Sequence, residues 1–365
     1  MKVICNRAAL LEAIQIAGNV SSQRTPKPVL QCVKLDATAD RLTLSATDLE
    51  VAIRFSDAQV QVEQEGSTLL PADKLRDIIR ESLDDTLSIE LTGEQATIRG
   101  QDSFFKLYTQ NPADFPPVPE FEGEADFEMP GGQLKQLIGQ TLFAVAKEGT
   151  RYAFNGVLLV QGKDQVKLVA TDGRRLAQAT GDVAGLKPGK PNAIIPAKCL
   201  TLVDRLISDP DATVHVQTRE NQIIFHTADA TLTSSLVEGQ FPPFEDVIPK
   251  DTDKKMTAGT ADLLSAVRRA SLLTTQDSKG VRLQFEEGNL KLSSRSPESG
   301  EAEVNFACRY EGEPMEIGFN PNFMTDALKV VDSDEIAFEL SAPNRPGLLK
   351  GGEDFLYVIM PVNLQ

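Results

Sequence analysis

The residues that come nearest to a chemical constellation lie in "VATDGRRLA", 169 to 177, where Asp172 and Gly173 precede Arg174 and Arg175. In catalysis such a group would use the Asp172 carboxylate as acid or base and the two guanidinium groups as an anion clamp. That chemistry needs a nucleophile or a metal beside it, and no motif supplies either. His215 and His226 are the only histidines. Both fall in alternating segments ("ATVHVQT", "QIIFHTA") without H-x-x-x-H or E-x-x-H spacing, so no zinc site is expected. Neither G-x-G-x-x-G nor G-x-x-x-x-G-K-[ST] occurs, which removes the usual backbone cradles for dinucleotides and nucleotide phosphates. No metal and no cofactor are expected, and catalysis ranks lowest among three readings of the stretch. A second reading is a tight Asp-Gly turn with exposed arginines solvating a strand end. The third rests on a resemblance carried by the whole chain.

The 365 residues predict two or three domains of about 100–150 residues each, in an acidic chain of formal net charge -16. No apolar run reaches the roughly 18 residues of a membrane span, and "MKVICNRAALLEAIQIAG" is interrupted by charge, unlike a signal peptide. A cytoplasmic location without membrane contact follows as the expectation. Cys5, Cys32, Cys199 and Cys308 are scattered and read as buried, reduced thiols.

The chain repeats itself at an interval of about 124 residues. "SATDLEVAI" answers "VATDGRRLA", so Thr47 corresponds to Thr171, and the next step lands on Arg295, where the strand pattern persists without the Asp-Gly. "VKLD", "VLLV" and "VRLQ" begin at Val33, Val157 and Val281. Pro71, Pro196 and Pro321 each open a helical pattern, placed in its first turn where a missing N–H is harmless. Each unit also starts with an amphipathic helix: "RAALLEAIQIAG", "GGQLKQLIGQTLFAVA" and "TADLLSAVRRASLL". Between the helices run short alternating segments such as "RLTLSAT", "VAIRFS", "LSIELTG", "QATIRG" and "FFKLYTQ". The class is α+β, with helices expected on one face of each antiparallel sheet and sheets continuing between neighbouring units from the other. Two segments rich in proline and acid, "NPADFPPVPEFEGEADF" and "EGQFPPFEDVIPKDTDKKM", put the domains at 1–123, 124–250 and 251–365.

The chain resembles the family of bacterial sliding clamps, the beta subunits of DNA polymerase III, along its whole length. The resemblance is carried by "RYAFNGVLL", "ATDGRRLA", "LVEGQFPPFEDVIP", "KGVRL", "MEIGFNPNF" and "YVIMPVNLQ", in order and at the family's spacing. It implies three similar domains of the clamp fold, with helices lining a ring interior and antiparallel sheets outside, in a head-to-tail homodimeric ring. The implied function is that of a non-catalytic processivity factor that encircles duplex DNA without reading its sequence. Partners implied with it are the polymerase III alpha subunit, the clamp loader, and other polymerases and repair proteins carrying clamp-binding peptides.

Three sets of residues follow from the resemblance. A peptide cleft between the second and third domains maps onto Phe154, Thr171, Gly173, Arg174, Arg175, Leu176, Pro242, Val247, Phe323, Pro346, Val358, Met360, Pro361 and Val362, with Arg175 holding a rim. Bore cations and a companion tyrosine map onto Arg24, Lys74, Arg76, Arg80, Lys147, Arg151, Tyr152, Lys198 and Arg269. Asp73, Asp77 and Glu81 interleave with the cations of the second helix as i,i+3 or i,i+4 partners. At the joint between subunits, Phe105 and Leu107 are expected against Leu272 and Leu273 of another copy, with Lys106 facing Glu298, Glu301 and Glu303. Arg174 stands where many relatives carry histidine, Asp246 where they carry a basic residue, and "VNLQ" where they end in Met-Arg-Leu, so peptide preference is less defined than the cleft. Two rival readings stand beside it: an enzyme, a hydrolase or phosphotransferase, built on Asp172 and its arginines, which would need a metal or nucleophile, and a repeat-built scaffold that binds proteins but never DNA.

Overall fold

The computed structural model describes all residues except 22–24, 58, 147–151, 188, 190, 276–279 and 364–365. The first repeat runs β1 (Lys2–Asn6), α1 (Arg7–Val20), β2 (Cys32–Thr38), β3 (Arg41–Thr47), β4 (Val51–Asp57), β5 (Val60–Gln64), β6 (Gly66–Pro71), α2 (Ala72–Glu81), β7 (Thr86–Thr92), β8 (Gln95–Arg99) and β9 (Phe104–Tyr108). The second runs β10 (Phe127–Pro130), α3 (Gly131–Leu142), β11 (Gly156–Gln161), β12 (Gln165–Thr171), β13 (Arg175–Asp182), β14 (Ala193–Pro196), α4 (Ala197–Leu206), β15 (Thr213–Arg219), β16 (Gln222–His226) and β17 (Ala230–Ser235). The third runs β18 (Lys254–Gly259), α5 (Thr260–Ala270), β19 (Val281–Glu286), β20 (Asn289–Ser296), β21 (Gly300–Ala307), β22 (Arg309–Glu311), β23 (Met315–Phe319), α6 (Pro321–Leu328), β24 (Glu335–Leu340), β25 (Gly347–Gly351) and β26 (Phe355–Ile359).

Alternation fixes the strands and the 3.6-residue period fixes the helices. In α1 the buried side chains Leu10, Ala13, Ile14, Ala17 and Val20 form one stripe, which packs on β3, β4 and α2. Asn6 caps this helix by accepting from the Ala9 N–H at 3.1 Å. α3 stops at Leu142, short of the reading that carried it to Ala146. Only Pro321 occupies a first helical turn. Pro71 and Pro196 are instead the last residues of β6 and β14, immediately before the helix, where the strand ladder and not the helix sets their backbone.

Each repeat carries two sheets in the same strand order. One sheet reads β5-β1-β7-β8-β9 in the first repeat, β10-β15-β16-β17 in the second and β22-β18-β24-β25-β26 in the third. The other reads β4-β3-β2-β6, β13-β12-β11-β14 and β21-β20-β19-β23. Repeats join edge to edge and not through a face, correcting the expectation above: β17 pairs with β4, making eight strands, and β13 with β26, making nine. Backbone hydrogen bonding continues across both seams, so the two strand edges are closed against solvent.

The chain gathers into two compact units, one of residues 1–134, 184–187 and 198–236, the other of 135–183, 188–197 and 237–365. Each contains a terminal repeat with one of the second repeat's sheets. Cys5, Cys32 and Cys199 are buried thiols, and burial pushes Cys32 up to about 11 and Cys199 up to about 12. Cys308 is partly exposed, against the sequence reading.

Candidate functional site

The turn in "ATDGRRLA" joins β12 to β13 and builds its own scaffold. The Thr171 hydroxyl donates to the Arg175 carbonyl at 2.6 Å and accepts from the Gly173 N–H at 3.1 Å. Asp172 accepts from the N–H groups of Arg174 and Arg175 at 2.9 and 3.1 Å. Its carboxylate is therefore a turn-former. Gly173 adopts φ +83°, and a Cβ there would come within 3.9 Å of the Phe154 ring.

The two arginines part company. Arg174 is exposed. Arg175, expected on a rim, is only 6% exposed. Its Nε donates to Asp172 at 3.0 Å, Nη1 to Asp326 of α6 at 2.9 Å, and Nη2 to the Phe143 carbonyl at 2.8 Å. Its guanidinium carbon lies 4.4 Å from the Phe323 ring centroid and 5.4 Å from that of Phe143. Burial opposes the charge, but the bond to Asp326 and the neighbouring Tyr357 and Asp172 outweigh it and raise the pKa further above its ordinary value. The Tyr357 hydroxyl donates to the Phe323 carbonyl at 2.9 Å, fixing the same ring's backbone. Arg175 thus ties the second repeat to α6 of the third and sets a wall of the site.

Leu176 and Val358 are cross-strand partners at the β13–β26 seam, both buried, in one apolar cluster with Ala153, Leu158, Val169, Ile194 and Leu348. Val237, Phe241, Phe244 and Ile248 pack onto that cluster from the segment after β17. Val247 and Met360 remain exposed beside it, at 49% and 42%. Phe154, Pro242, Phe323, Pro346, Pro361 and Val362 are half-buried. The Met360 N–H donates to the Arg174 carbonyl at 2.9 Å, which holds the chain after β26 against the turn, and the Val362 N–H to the Gly318 carbonyl of β23 at 2.8 Å. The sequence reading missed Phe241, Phe244 and Ile248, although "QFPPFEDVIP" spaces them as a proline-stiffened apolar strap. It missed Leu158, Val169 and Leu348 because a buried strand face does not announce which neighbour covers it.

The first repeat supplies an internal comparison. Its turn repeats every bond: Thr47 to the Val51 carbonyl at 3.0 Å, the Leu49 N–H to Thr47 at 3.0 Å, and the Glu50 and Val51 N–H groups to Asp48 at 3.0 and 2.7 Å. Leu49 takes the glycine's place at φ +80° and stands 54% exposed. The ladder row Leu158–Val169–Gln178–Leu356 corresponds to Lys34–Ser45–Arg54–Thr231, and the pair Leu176–Val358 to Ala52–Thr233. Lys198 stands where Phe323 does and bonds Asp48. The same frame is polar at one seam and apolar at the other.

Among the cations, Arg24, Lys147 and Arg151 lie outside the described residues, as does the side chain of Tyr152. Arg76 and Arg80 both reach Asp77 at 3.2 Å, and Arg80 also Glu81 at 3.0 Å. Lys74 and Arg269 are exposed. At a free sheet edge β9 exposes Phe104 and Phe105, with Leu107 half-buried, and in the turn after α5 Leu272 is exposed beside half-buried Leu273. Lys106 lies 6.0 Å from the Phe104 ring. Glu301 and Glu303, read as its partners, already pair with Arg295 at 3.1 Å and Lys291 at 2.8 Å, while Glu298 is exposed in the turn before β21. Among the described residues no helix is long and apolar enough to cross a membrane.

Family models of the DNA polymerase III beta subunit match this frame repeat by repeat: the N-terminal domain over residues 1–119, the central domain over 128–243 and the C-terminal domain over 245–363. The chain belongs to the DNA polymerase III beta subunit family. It is 34% identical over 370 residues to the beta sliding clamp of Pseudomonas putida and 33% over 367 residues to that of Escherichia coli, covering all of each chain. The beta subunit structure from Pseudomonas aeruginosa superposes with a TM-score of 0.92 at 33% identity, and the sliding clamp from Bacillus subtilis with 0.95 at 28%, again over all of both chains. The chain therefore has the three-domain clamp fold, and its role is the family's, a non-catalytic processivity clamp of DNA replication.

Proposed function

We propose that two copies of this clamp close head to tail into a ring around duplex DNA, with domains 1–123, 124–250 and 251–365, and that the apolar site at the β13–β26 seam captures short peptides of its partners. The observation that carries the ring is the rule by which the repeats join. At both internal seams the last strand of one repeat pairs with the third sheet strand of the repeat before it, β17 with β4 and β26 with β13. Two such edges are left over, β9 and β21, at opposite ends of the repeat series. The same rule pairs β9 of one copy with β21 of another.

The register transfers as well. Leu232 and Tyr357 end equivalent ladder rows and face Ile53 and Ala177. Phe105 ends the same row in the first repeat, through Ile89 and Ile98, and Ala302 is the third-repeat equivalent of Ile53 and Ala177. Phe105 then faces Ala302, and Lys106 faces Glu301. Arg99 and Lys106 flank one edge while Glu301 and Glu303 line the other, so the charges are complementary.

Inside the ring, sliding needs phosphate contacts that are few and exchangeable. Lys74 and Arg269, exposed, suit that role, whereas Arg76, Arg80 and Lys198 are partly neutralised by Asp77, Glu81 and Asp48. The cleft reading is supported by a clamp from Pseudomonas aeruginosa whose structure is bound to griselimycin and by the contrast between the two seams. It is the docking point for the polymerase III alpha subunit, the clamp loader and repair proteins, in the cytoplasm where replication runs. Tethering then works through effective concentration. The deciding experiment loads the protein on nicked circular DNA and linearises it. Retention on the circle and loss from the linear end are expected, and binding indifferent to topology would refute the ring. For the cleft, Met360→Ala or Val247→Ala is the cleaner probe, because both side chains are exposed, and peptide affinity unchanged in both would refute it.

A further inference from the structure

The apolar site occupies one end of a sheet face whose other end has not been assigned. Along that face the cross-strand rows run from Thr171–Leu176–Val358 through Val169–Gln178–Leu356 to Lys167–Thr180 and Gln165–Asp182, toward the β11–β12 hairpin. Each row lies about 7 Å beyond the last, two residues of antiparallel strand. At the hairpin the face opens into a cavity of about 350 Å³ lined by Val160, Lys163, Asp164, Gln165, Lys167 and Asp182, with Gly162 at the bend. Val160 joins the two regions. It packs against the apolar cluster and also lines the cavity.

The cavity's charges are unequally occupied. Asp182 accepts from Gln165 Nε2 at 2.8 Å. Lys163 is exposed and Lys167 half-buried, and among the described residues neither ammonium is in an ion pair. Asp164 stands exposed at the hairpin tip. We infer that this cavity is a second subsite of the cleft, taking an acidic side chain of the bound peptide roughly two to four residues beyond the apolar anchors, with Lys167 and Lys163 as its counter-charges. An extended peptide leaving the Leu176–Val358 row toward the hairpin reaches Lys167 at that spacing. Asp164 disfavours acid on the tip side and confines the carboxylate to the Lys167 side.

The inference rests on the cleft reading and is tested apart from it. Two fluorescein-labelled peptides share an apolar anchor and differ only in glutamate or glutamine at the flanking position. At low salt the glutamate peptide is expected to bind about threefold tighter by fluorescence anisotropy, and the advantage to shrink as salt rises. Lys163→Gln with Lys167→Gln should abolish the advantage while leaving the glutamine peptide unchanged, and Asp164→Asn should enlarge it. Equal affinity of the two peptides for the parent chain, or an advantage that survives the double lysine variant, overturns the subsite and leaves the cleft intact. Indifference of both peptides to Met360→Ala and Val247→Ala overturns the cleft itself.

Discussion

Replacing Arg175 by methionine tests whether the "DGRR" arginine holds the fold or greets a partner. Methionine keeps an unbranched apolar stem out to about the Nε position and removes the guanidinium beyond it. The loss comprises charge-assisted bonds to Asp172 and Asp326 at 3.0 and 2.9 Å, one bond to the Phe143 carbonyl, and the stack on Phe323. The desolvation of a 6% exposed cation is recovered, which offsets part of that loss. Breaking a buried pair from one side costs about 3–5 kcal/mol. Asp326, 36% exposed, can turn to water, and Asp172 keeps its two backbone partners, so the low end, about 3 kcal/mol, applies. Urea unfolding followed by circular dichroism should show the midpoint falling by about 1 M for a slope near 2–3 kcal/mol/M. Arg175→Lys should recover less than half, since an ammonium cannot reach both carboxylates in plane or stack on the ring. A midpoint for Arg175→Met within about 0.3 M of the parent would refute the argument and return Arg175 to the rim.

The two copies of the Thr-Asp turn make opposite predictions: Gly173→Ala should destabilise by about 1 kcal/mol, and Leu49→Gly should stabilise by a similar amount, because both positions hold φ near +80°. Equal signs in thermal unfolding would show that φ does not govern these turns. His226 is half-buried, its ring stacked 4.7 Å from Phe121, and burial together with His215 lowers its pKa below 6.5. Its folded pKa is depressed, so the stability it supplies is present above 6.5 and declines as pH falls through the folded value. His226→Gln should flatten the loss between pH 7 and 5, and an unchanged pH profile would exclude this histidine as its source. In a Cys308→Ser background, Lys106→Cys with Glu301→Cys should oxidise to a covalent dimer on non-reducing gels, whereas Lys106→Cys with Glu303→Cys should not. The reverse yield would refute the transferred register.

Much of the architecture was legible in the sequence because it is written three times. The Val33, Val157 and Val281 register falls on β2, β11 and β19, and the predicted segments "RLTLSAT" and "QATIRG" fall on β3 and β8. What pattern could not give was the neighbour across each edge, since alternation in β13 describes two faces and says nothing of β26. The fate of Arg175 was hidden for the same reason. Its partners Asp326 and Phe143 lie far away in sequence, and two adjacent arginines after Asp-Gly read alike until one is seen beneath α6. Proline at the helix starts was read by rule and misplaced by one residue in two repeats, where a strand runs directly into the helix.

The repeated frame also explains why one seam binds and the other holds. Both turns are built by the same Thr and Asp bonds, both seams pair the same strands, and the lining alone differs. At the β4–β17 seam Lys34, Ser45, Arg54, Ala52 and Thr233 fill the rows, Lys34 pairs with Asp36 at 3.1 Å, and Lys198 bonds Asp48. A peptide's leucine laid there would meet paired charges and the buried Thr233 hydroxyl, unpartnered among the described residues, and would gain little. At the β13–β26 seam the same rows carry Leu158, Val169, Leu176, Leu356 and Val358, and Arg175, on the alternate face of β13, is held against the Phe323 ring. Burying one apolar anchor against that lining is worth about 1.5–3 kcal/mol. Making the first seam a binding site therefore takes two changes together: apolar residues at Lys34, Ser45 and Thr233, and an aromatic in place of Lys198. If Lys198→Phe alone created peptide binding there, the lining would not be what separates the seams, and this explanation would fail.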